Sequence, residues 1–150
     1  MQSRKANYFN QFPVARVVLL LAGFTAVGIP TAILLAPDAF YASYGISLGQ
    51  DVNLANEMKA PMGLLVAAGL LMLAGAVRAD MTIAALAIAT SVYVSYGLSR
   101  VTSFAIDGLP NGALVGAAAF ELMLGATCLV LLLRARSTNS LIETSFRRRT

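Results

Sequence analysis

One carboxylate stands in the middle of the most apolar stretch of the chain. Glu121 lies near the centre of the run from residue 111 to residue 134, among Leu, Val, Ala, Met and Phe side chains. At about 24 residues and about 1.5 Å per residue, this run is long enough to cross the hydrocarbon core of a bilayer as a helix. A carboxylate there costs about 2 to 3 kcal/mol on insertion scales, so Glu121 is expected to face protein rather than lipid.

Possible partners of Glu121 occur near the ends of two other apolar stretches. Arg100 follows one of these stretches, with two tyrosines one and two turns before it on the same helical face. Opposite charges that meet within the membrane stabilise each other, which predicts a polar cluster open to the non-cytoplasmic side. The candidate binding residues are Glu57, Lys59, Tyr93, Tyr96, Arg100 and Glu121.

A purely structural role for these residues is the alternative. Lys59 and Arg100 would then extend to the outer lipid headgroups, and Glu57 would lie in water. Glu121 would be protonated and hydrogen-bonded to a tyrosine hydroxyl or a backbone carbonyl. Intramembrane polar groups often serve to hold helices together, so both interpretations stay open at this point.

The familiar kinds of catalytic and metal site have no support in the sequence. The chain contains no histidine and one cysteine, Cys128, within an apolar run. Disulfides within the chain, Cys/His zinc sites and haem attachment motifs are therefore excluded, and Cys128 is interpreted as a small core residue. No nucleophile stands beside a base, and no glycine-rich phosphate loop or dinucleotide motif is present. We expect no enzyme activity, no cofactor and no metal.

Composition places the chain in a membrane. Hydrophobic residues make up 58% of the sequence and charged residues 12%, which would leave a soluble domain of this size without a polar surface. The fold class predicted is all-α, a four-helix transmembrane bundle in up-down-up-down order. Its helices are predicted at residues 14–36, 52–78, 81–106 and 111–134, between an N-terminal tail at 1–13 and a basic, disordered C-terminal tail at 135–150.

The distribution of basic residues predicts the orientation. All but two of the eleven lysines and arginines fall on the side of both termini if the chain crosses the bilayer four times, the exceptions being Lys59 and Arg100. Because lysine and arginine are enriched on the cytoplasmic side, both termini are predicted to be cytoplasmic. These residues flank apolar spans and do not alternate with aromatics, so the net charge of +4 indicates topology and not nucleic-acid binding.

Prolines, aromatics and small residues refine this bundle. Pro61 either begins the second helix or bends a longer one that starts near Val52, and the bent helix is favoured because Asn56, Ala60, Gly63 and Ala67 then share one small face. Three aromatics after the first helix are expected to anchor the outer interface. They are Phe40, Tyr41 and Tyr44. A cleaved signal peptide is the alternative interpretation of the first apolar run. This run, however, is longer than the hydrophobic region of a signal peptide.

A family resemblance rests on ordered short motifs. They are Asn56-Glu57-Met58-Lys59-Ala60 followed by Gly63, Gly97-Leu98-Ser99-Arg100 leading to Asp107-Gly108, and Glu121 in the last span. Together they resemble the domain of unknown function 4345 family over roughly residues 15 to 133, although members typically carry Arg at the position of Lys59. The resemblance implies a four-span bacterial inner-membrane protein. The architecture is also similar to DoxX-like four-helix membrane proteins, some of which are associated with redox enzymes.

The sequence alone leaves three possible functions for this protein. The first is a non-catalytic bundle that binds a hydrophobic or lipid-like ligand or serves as an accessory subunit of another membrane protein complex. The second is a small proton-coupled carrier or permease, in which Glu121 changes protonation and Arg100 attracts anions. Because four spans are few for a carrier, it would act as a homo-oligomer. The third, a quinone-linked redox enzyme, rests only on analogy.

Overall fold

Six helices account for most of the residues that the structure describes. The structure, a computed structural model, describes the backbone of residues 13–147 and the side chains of residues 13–137. The described part contains no β-strand, which confirms the all-α class. The helices are α1 (Pro13–Leu35), α2 (Pro37–Ala42), α3 (Val52–Lys59), α4 (Met62–Val77), α5 (Thr82–Asp107) and α6 (Gly112–Arg147). The predicted N-terminal tail, residue 13 excepted, lies outside the described residues.

Four segments of the described chain have the length and apolar character of membrane spans. They are Pro13–Leu35, Val52–Val77, Thr82–Asp107 and Gly112–Ser137, and each is 23 or 26 residues long. Large apolar side chains cover their outer faces, among them Val17 and Phe24, each 66% exposed, and Leu64, 75% exposed. In water such a surface would be unfavourable, whereas in a bilayer it faces acyl chains. The protein is therefore a multi-pass membrane protein.

The second span is one helical path whose hydrogen bonding is interrupted at Pro61. Ala60 and Pro61 separate α3 from α4, yet both have right-handed helical dihedral angles. Pro61 has no N–H and so cannot bond back to the carbonyl of Glu57, while the neighbouring amide of Ala60 still donates to Asn56 at 2.9 Å. The second span therefore begins at Val52, as the longer-helix interpretation predicts. The predicted small face on this span, however, is exposed at Asn56, Ala60, Gly63 and Ala67.

The bundle consists of two closely packed helix pairs. α1 packs mainly on α4, and α5 packs mainly on α6, while α1 and α6 contact each other only sparsely. Gly23 and Gly69 bring the backbones of α1 and α4 together, since a Cβ on Gly69 would lie 3.0 Å from the carbonyl oxygen of Gly23. Leu19, Met72, Leu86 and Cys128 are fully buried between the pairs. Cys128 is thus a core residue.

The last helix does not end with its apolar run. α6 continues to Arg147, although the apolar pattern indicated an end at residue 134 and a disordered tail beyond it. The sequence after Gly125 contains neither glycine nor proline, so nothing in it interrupts the helical backbone. Residues 148–150 lie outside the described part of the chain. The up-down-up-down order and the cytoplasmic location of both termini stay predictions.

Candidate functional site

An ion pair joins α5 to α6 within the membrane-spanning region. The Nε of Arg100 donates to Oε2 of Glu121 at 2.8 Å, and the side chains are 33% and 14% exposed. Arg100 lies two turns before the end of α5, and Glu121 lies in the third turn of α6. The two groups therefore neutralise each other in a partly buried position, where an isolated charge would be costly.

Small residues on α6 make this approach possible. Gly125 lies one turn after Glu121, and a Cβ there would be 2.8 Å from Cγ2 and 2.9 Å from the backbone nitrogen of Val94 on α5. Ala118 and Cys128, on the same face of α6, are also buried. Because α6 comes so close to α5 at Gly125, the carboxyl group of Glu121 can reach the guanidinium across the helix pair.

A cavity of ≈ 340 Å³ lies beside the ion pair. It is bounded by the C-terminal halves of α1 and α5, the N-terminal parts of α4 and α6, and the segment around α2. Its volume falls within the range of about 300 to 1,000 Å³ that is usual for small-molecule sites. The lining residues are Thr25, Ala26, Ile29, Pro30, Ile33, Phe40, Tyr41, Tyr44, Ile46, Met62, Leu65, Val92, Tyr93, Tyr96, Arg100, Leu114, Ala117, Phe120 and Glu121.

Apart from a few hydroxyl groups, the cavity is apolar except at the ion pair. Arg100 and Glu121 are the only charged side chains among the described residues that line it. Tyr96, one turn before Arg100, interacts electrostatically with both members of the pair, and Tyr41 on α2 interacts with Arg100. Burial raises the pKa of the Tyr41 phenol, and the nearby Arg100 partly lowers it again. Tyr41 therefore keeps a neutral hydroxyl group close to the ion pair at neutral pH.

Tyr93 holds three helices together in the wall of the cavity. Its side chain is buried, and its hydroxyl donates to the carbonyl oxygen of Ala22 on α1 at 2.6 Å. Its ring meets Phe120 of α6 edge-to-face, with 6.4 Å between the ring centroids. Tyr93 thus lines the cavity, but its polar atom bonds to a backbone carbonyl and not to the predicted cluster.

Glu57 and Lys59 do not join the ion pair. Glu57 is exposed and Lys59 partly buried, and neither lines the cavity or forms an ion pair with a described residue. Glu57 lies four residues before Pro61 and seven before Leu64, and both of these face outward. The helical phase of α3 therefore turns Glu57 away from the bundle. Of the four charged residues that were predicted to form a cluster, Arg100 and Glu121 contact each other in the structure, and Glu57 and Lys59 do not join them.

The segment around α2 closes the outer part of the cavity. Phe40, Tyr41 and Tyr44, expected at the lipid interface, have their rings in the cavity wall, where Phe40 contacts both tyrosines. Asn111 fixes this segment to the start of α6 because its side-chain amide donates to the carbonyl oxygen of Tyr44 at 2.8 Å. Tyr44 follows Phe40 by four residues and Tyr41 by three, and this helical spacing was the only signal in the sequence for this wall.

Metal binding has no support at this site. Among the described residues, no three cysteine or acidic side chains lie close enough together to hold a metal ion. The polar side-chain groups that line the cavity are the hydroxyls of Thr25 and of tyrosines, a guanidinium and a carboxylate. Such groups bind and orient a ligand through hydrogen bonds, and they surround space that is otherwise apolar.

Comparison with known proteins gives the family. The model of the family described as Domain of unknown function (DUF4345) matches residues 14–132. The chain belongs to the DUF4345 family. The match covers all four spans as far as residue 132 and includes both members of the ion pair, which confirms the resemblance found in the sequence. No curated protein and no solved structure matches the chain. The more distant DoxX-like resemblance stays a prediction.

Proposed function

We propose that this protein is a non-catalytic inner-membrane protein that binds a hydrophobic, lipid-like molecule between α1, α5 and α6. The observation that carries this proposal is the ≈ 340 Å³ cavity, apolar over most of its wall and polar at the Arg100 and Glu121 pair. Binding sites for small molecules combine these two properties, because apolar area supplies affinity and a few polar groups fix orientation.

The other half of the bundle favours binding over transport. Leu19, Met72, Leu86 and Cys128 are fully buried there, so packed side chains lie between the cavity and the far end of the bundle. A carrier would need a second arrangement in which this core opens. A binding protein needs only the arrangement described.

Filling the cavity tests the proposal. Ala117 lines the cavity, whereas Ala119 on the same helix is exposed on the outer face. Ala117→Phe should therefore lower the binding of an uncharged hydrophobic probe, N-phenylnaphthylamine, by about tenfold or more, while Ala119→Phe leaves it unchanged. Native mass spectrometry of the protein released from detergent micelles measures the fraction that carries the probe.

The result that overturns the proposal is equal binding in both variants or none in the wild type. Wild-type protein that binds no probe, but copurifies in fixed ratio with another membrane protein, would instead support an accessory subunit. Both variants must first elute as the wild type does on size-exclusion chromatography, since an aromatic side chain placed in a packed wall can also disturb folding.

A further inference from the structure

The ion pair leaves several polar atoms without protein partners. Only the Nε of Arg100 donates to a described residue, so both terminal amino groups of the guanidinium have unused N–H donors. The hydroxyl groups of Tyr41 and Tyr96 make no hydrogen bond with described residues either, and both line the cavity. Unused donors at the end of an apolar cavity are satisfied by acceptor oxygens of a bound molecule or by water.

The net charge of the polar end decides which head group fits there. The Nε of Arg100 and Oε2 of Glu121 are 2.8 Å apart, so the two charges compensate each other. The described residues that line the cavity carry no other charge. A head group with a net charge would lose its hydration on entering the cavity and find no uncompensated opposite charge. An uncharged head group with acceptor oxygens avoids this cost and still satisfies the donors.

The volume and the entrance decide which hydrophobic part fits. A cavity of ≈ 340 Å³ is near the lower end of the usual range for small-molecule sites, so it suits one acyl chain rather than two. It lies where α1 and α6 make few contacts, and Ile29, one of its lining residues, is 45% exposed. A molecule dissolved in the bilayer can therefore reach the cavity sideways between these two helices.

We propose that the ligand is a single-chain amphiphile with an uncharged, oxygen-bearing head group, which accepts hydrogen bonds from Arg100, Tyr41 and Tyr96 while its chain lies between α1 and α6. A monoacylglycerol has this chemistry. The inference rests on the proposed function and narrows it, because hydrophobic binding alone makes no distinction between neutral and charged head groups.

Three probes with the same dodecyl chain test the head group. They are monododecanoylglycerol, which is uncharged, dodecyl sulfonate, which is permanently anionic, and dodecyltrimethylammonium, which is permanently cationic. Added below their micellar concentrations to the protein in mild detergent, they are counted as bound adducts by native mass spectrometry. The wild type should bind monododecanoylglycerol about tenfold more tightly than either charged probe.

Removing one charge at a time should change this selectivity in opposite directions. In Glu121→Gln the cation of Arg100 is uncompensated, so binding should shift towards dodecyl sulfonate. In Arg100→Gln the carboxylate of Glu121 is uncompensated, so binding should shift towards dodecyltrimethylammonium. Glu57→Gln is the matched control, because Glu57 is exposed and does not line the cavity, and it should keep the wild-type order.

The outcomes separate the two proposals. Preferential binding of a charged probe by the wild type, or the same order of affinities in all variants, overturns the neutral head group but leaves hydrophobic binding intact. Binding of no probe at all, or binding that Ala117→Phe does not reduce, overturns the proposed function itself. Opposite shifts in the two charge variants cannot come from misfolding, which would lower the binding of every probe together.

Discussion

Removing Glu121 alone should destabilise the bundle more than removing Glu121 and Arg100 together. The single change Glu121→Leu leaves a guanidinium in a position where only 33% of its side chain is exposed. The double change Glu121→Leu with Arg100→Leu leaves two apolar side chains that can pack against each other and against the cavity. Free energies of unfolding, measured by reversible SDS titration in mixed micelles, give the comparison.

The exposure of the pair sets the expected size of the effect. Exposed ion pairs contribute about 0.2 to 1 kcal/mol, and losing one partner of a fully buried pair costs about 3 to 5 kcal/mol. With side chains 33% and 14% exposed, the pair lies between these limits. We expect a loss of about 2 kcal/mol for each single change and about 1 kcal/mol for the double change, which is about 3 kcal/mol below their sum.

A second ion pair in the same protein serves as the control. Arg78 and Asp80, in the short connection between α4 and α5, are 3.0 Å apart but 62% and 53% exposed. The Asp80 carboxylate raises the pKa of Arg78 through a hydrogen bond, yet solvent screens this contact. The cycle Arg78→Ala with Asp80→Ala should show no measurable coupling. Additive losses at Arg100 and Glu121 would refute our account of the membrane pair.

Three further changes test the contacts around the cavity, each by the same unfolding titration. Tyr93→Phe removes a buried hydrogen bond between α5 and α1 and should cost about 1 kcal/mol, whereas no loss would mean that water replaces the hydroxyl. Gly125→Ala should cost about 1 to 3 kcal/mol because α5 lies against Gly125. Gly116→Ala is the control, and because Gly116 lies in open space this change should be neutral or slightly stabilising. Equal effects of the two changes would contradict the close approach of α5 to α6 at Gly125. Asn111→Ala removes both the hydrogen bond to Tyr44 and the cap of α6, and it should cost about 1 kcal/mol. Proteolysis of the segment around α2 should also become faster. Unchanged proteolysis would contradict the conclusion that Asn111 fixes this segment.

Much of the fold follows from the sequence because the bilayer constrains it strongly. Apolar runs of the required length have few alternatives to helices in a membrane, and the structure has four such segments. The contact of Arg100 with Glu121 follows from the same constraint, because opposite charges within spans have few other ways to offset their burial. The end of α6 is less predictable, since the loss of apolar character marks the end of a span and not the end of a helix.

The cavity itself was beyond prediction from the sequence. Its outer wall depends on the path of the chain after α1, which brings Phe40, Tyr41 and Tyr44 over the bundle. Aromatic residues near a span indicate the interface, but their composition does not determine which way the rings point. Glu57 shows the same difficulty, because one step of helical phase in α3 separates a residue that faces the bundle from one that faces outward.

The division into two helix pairs has a consequence for how the chain is made. α1 and α4 are complete before α5 begins, and α5 and α6 follow as the second pair. Because each pair has its main contacts within itself, the first can assemble at the insertion machinery while the second is still being synthesised. α1 and α6 are the first and the last spans to be synthesised. The contact between these two helices is then the last one to form in the nascent protein.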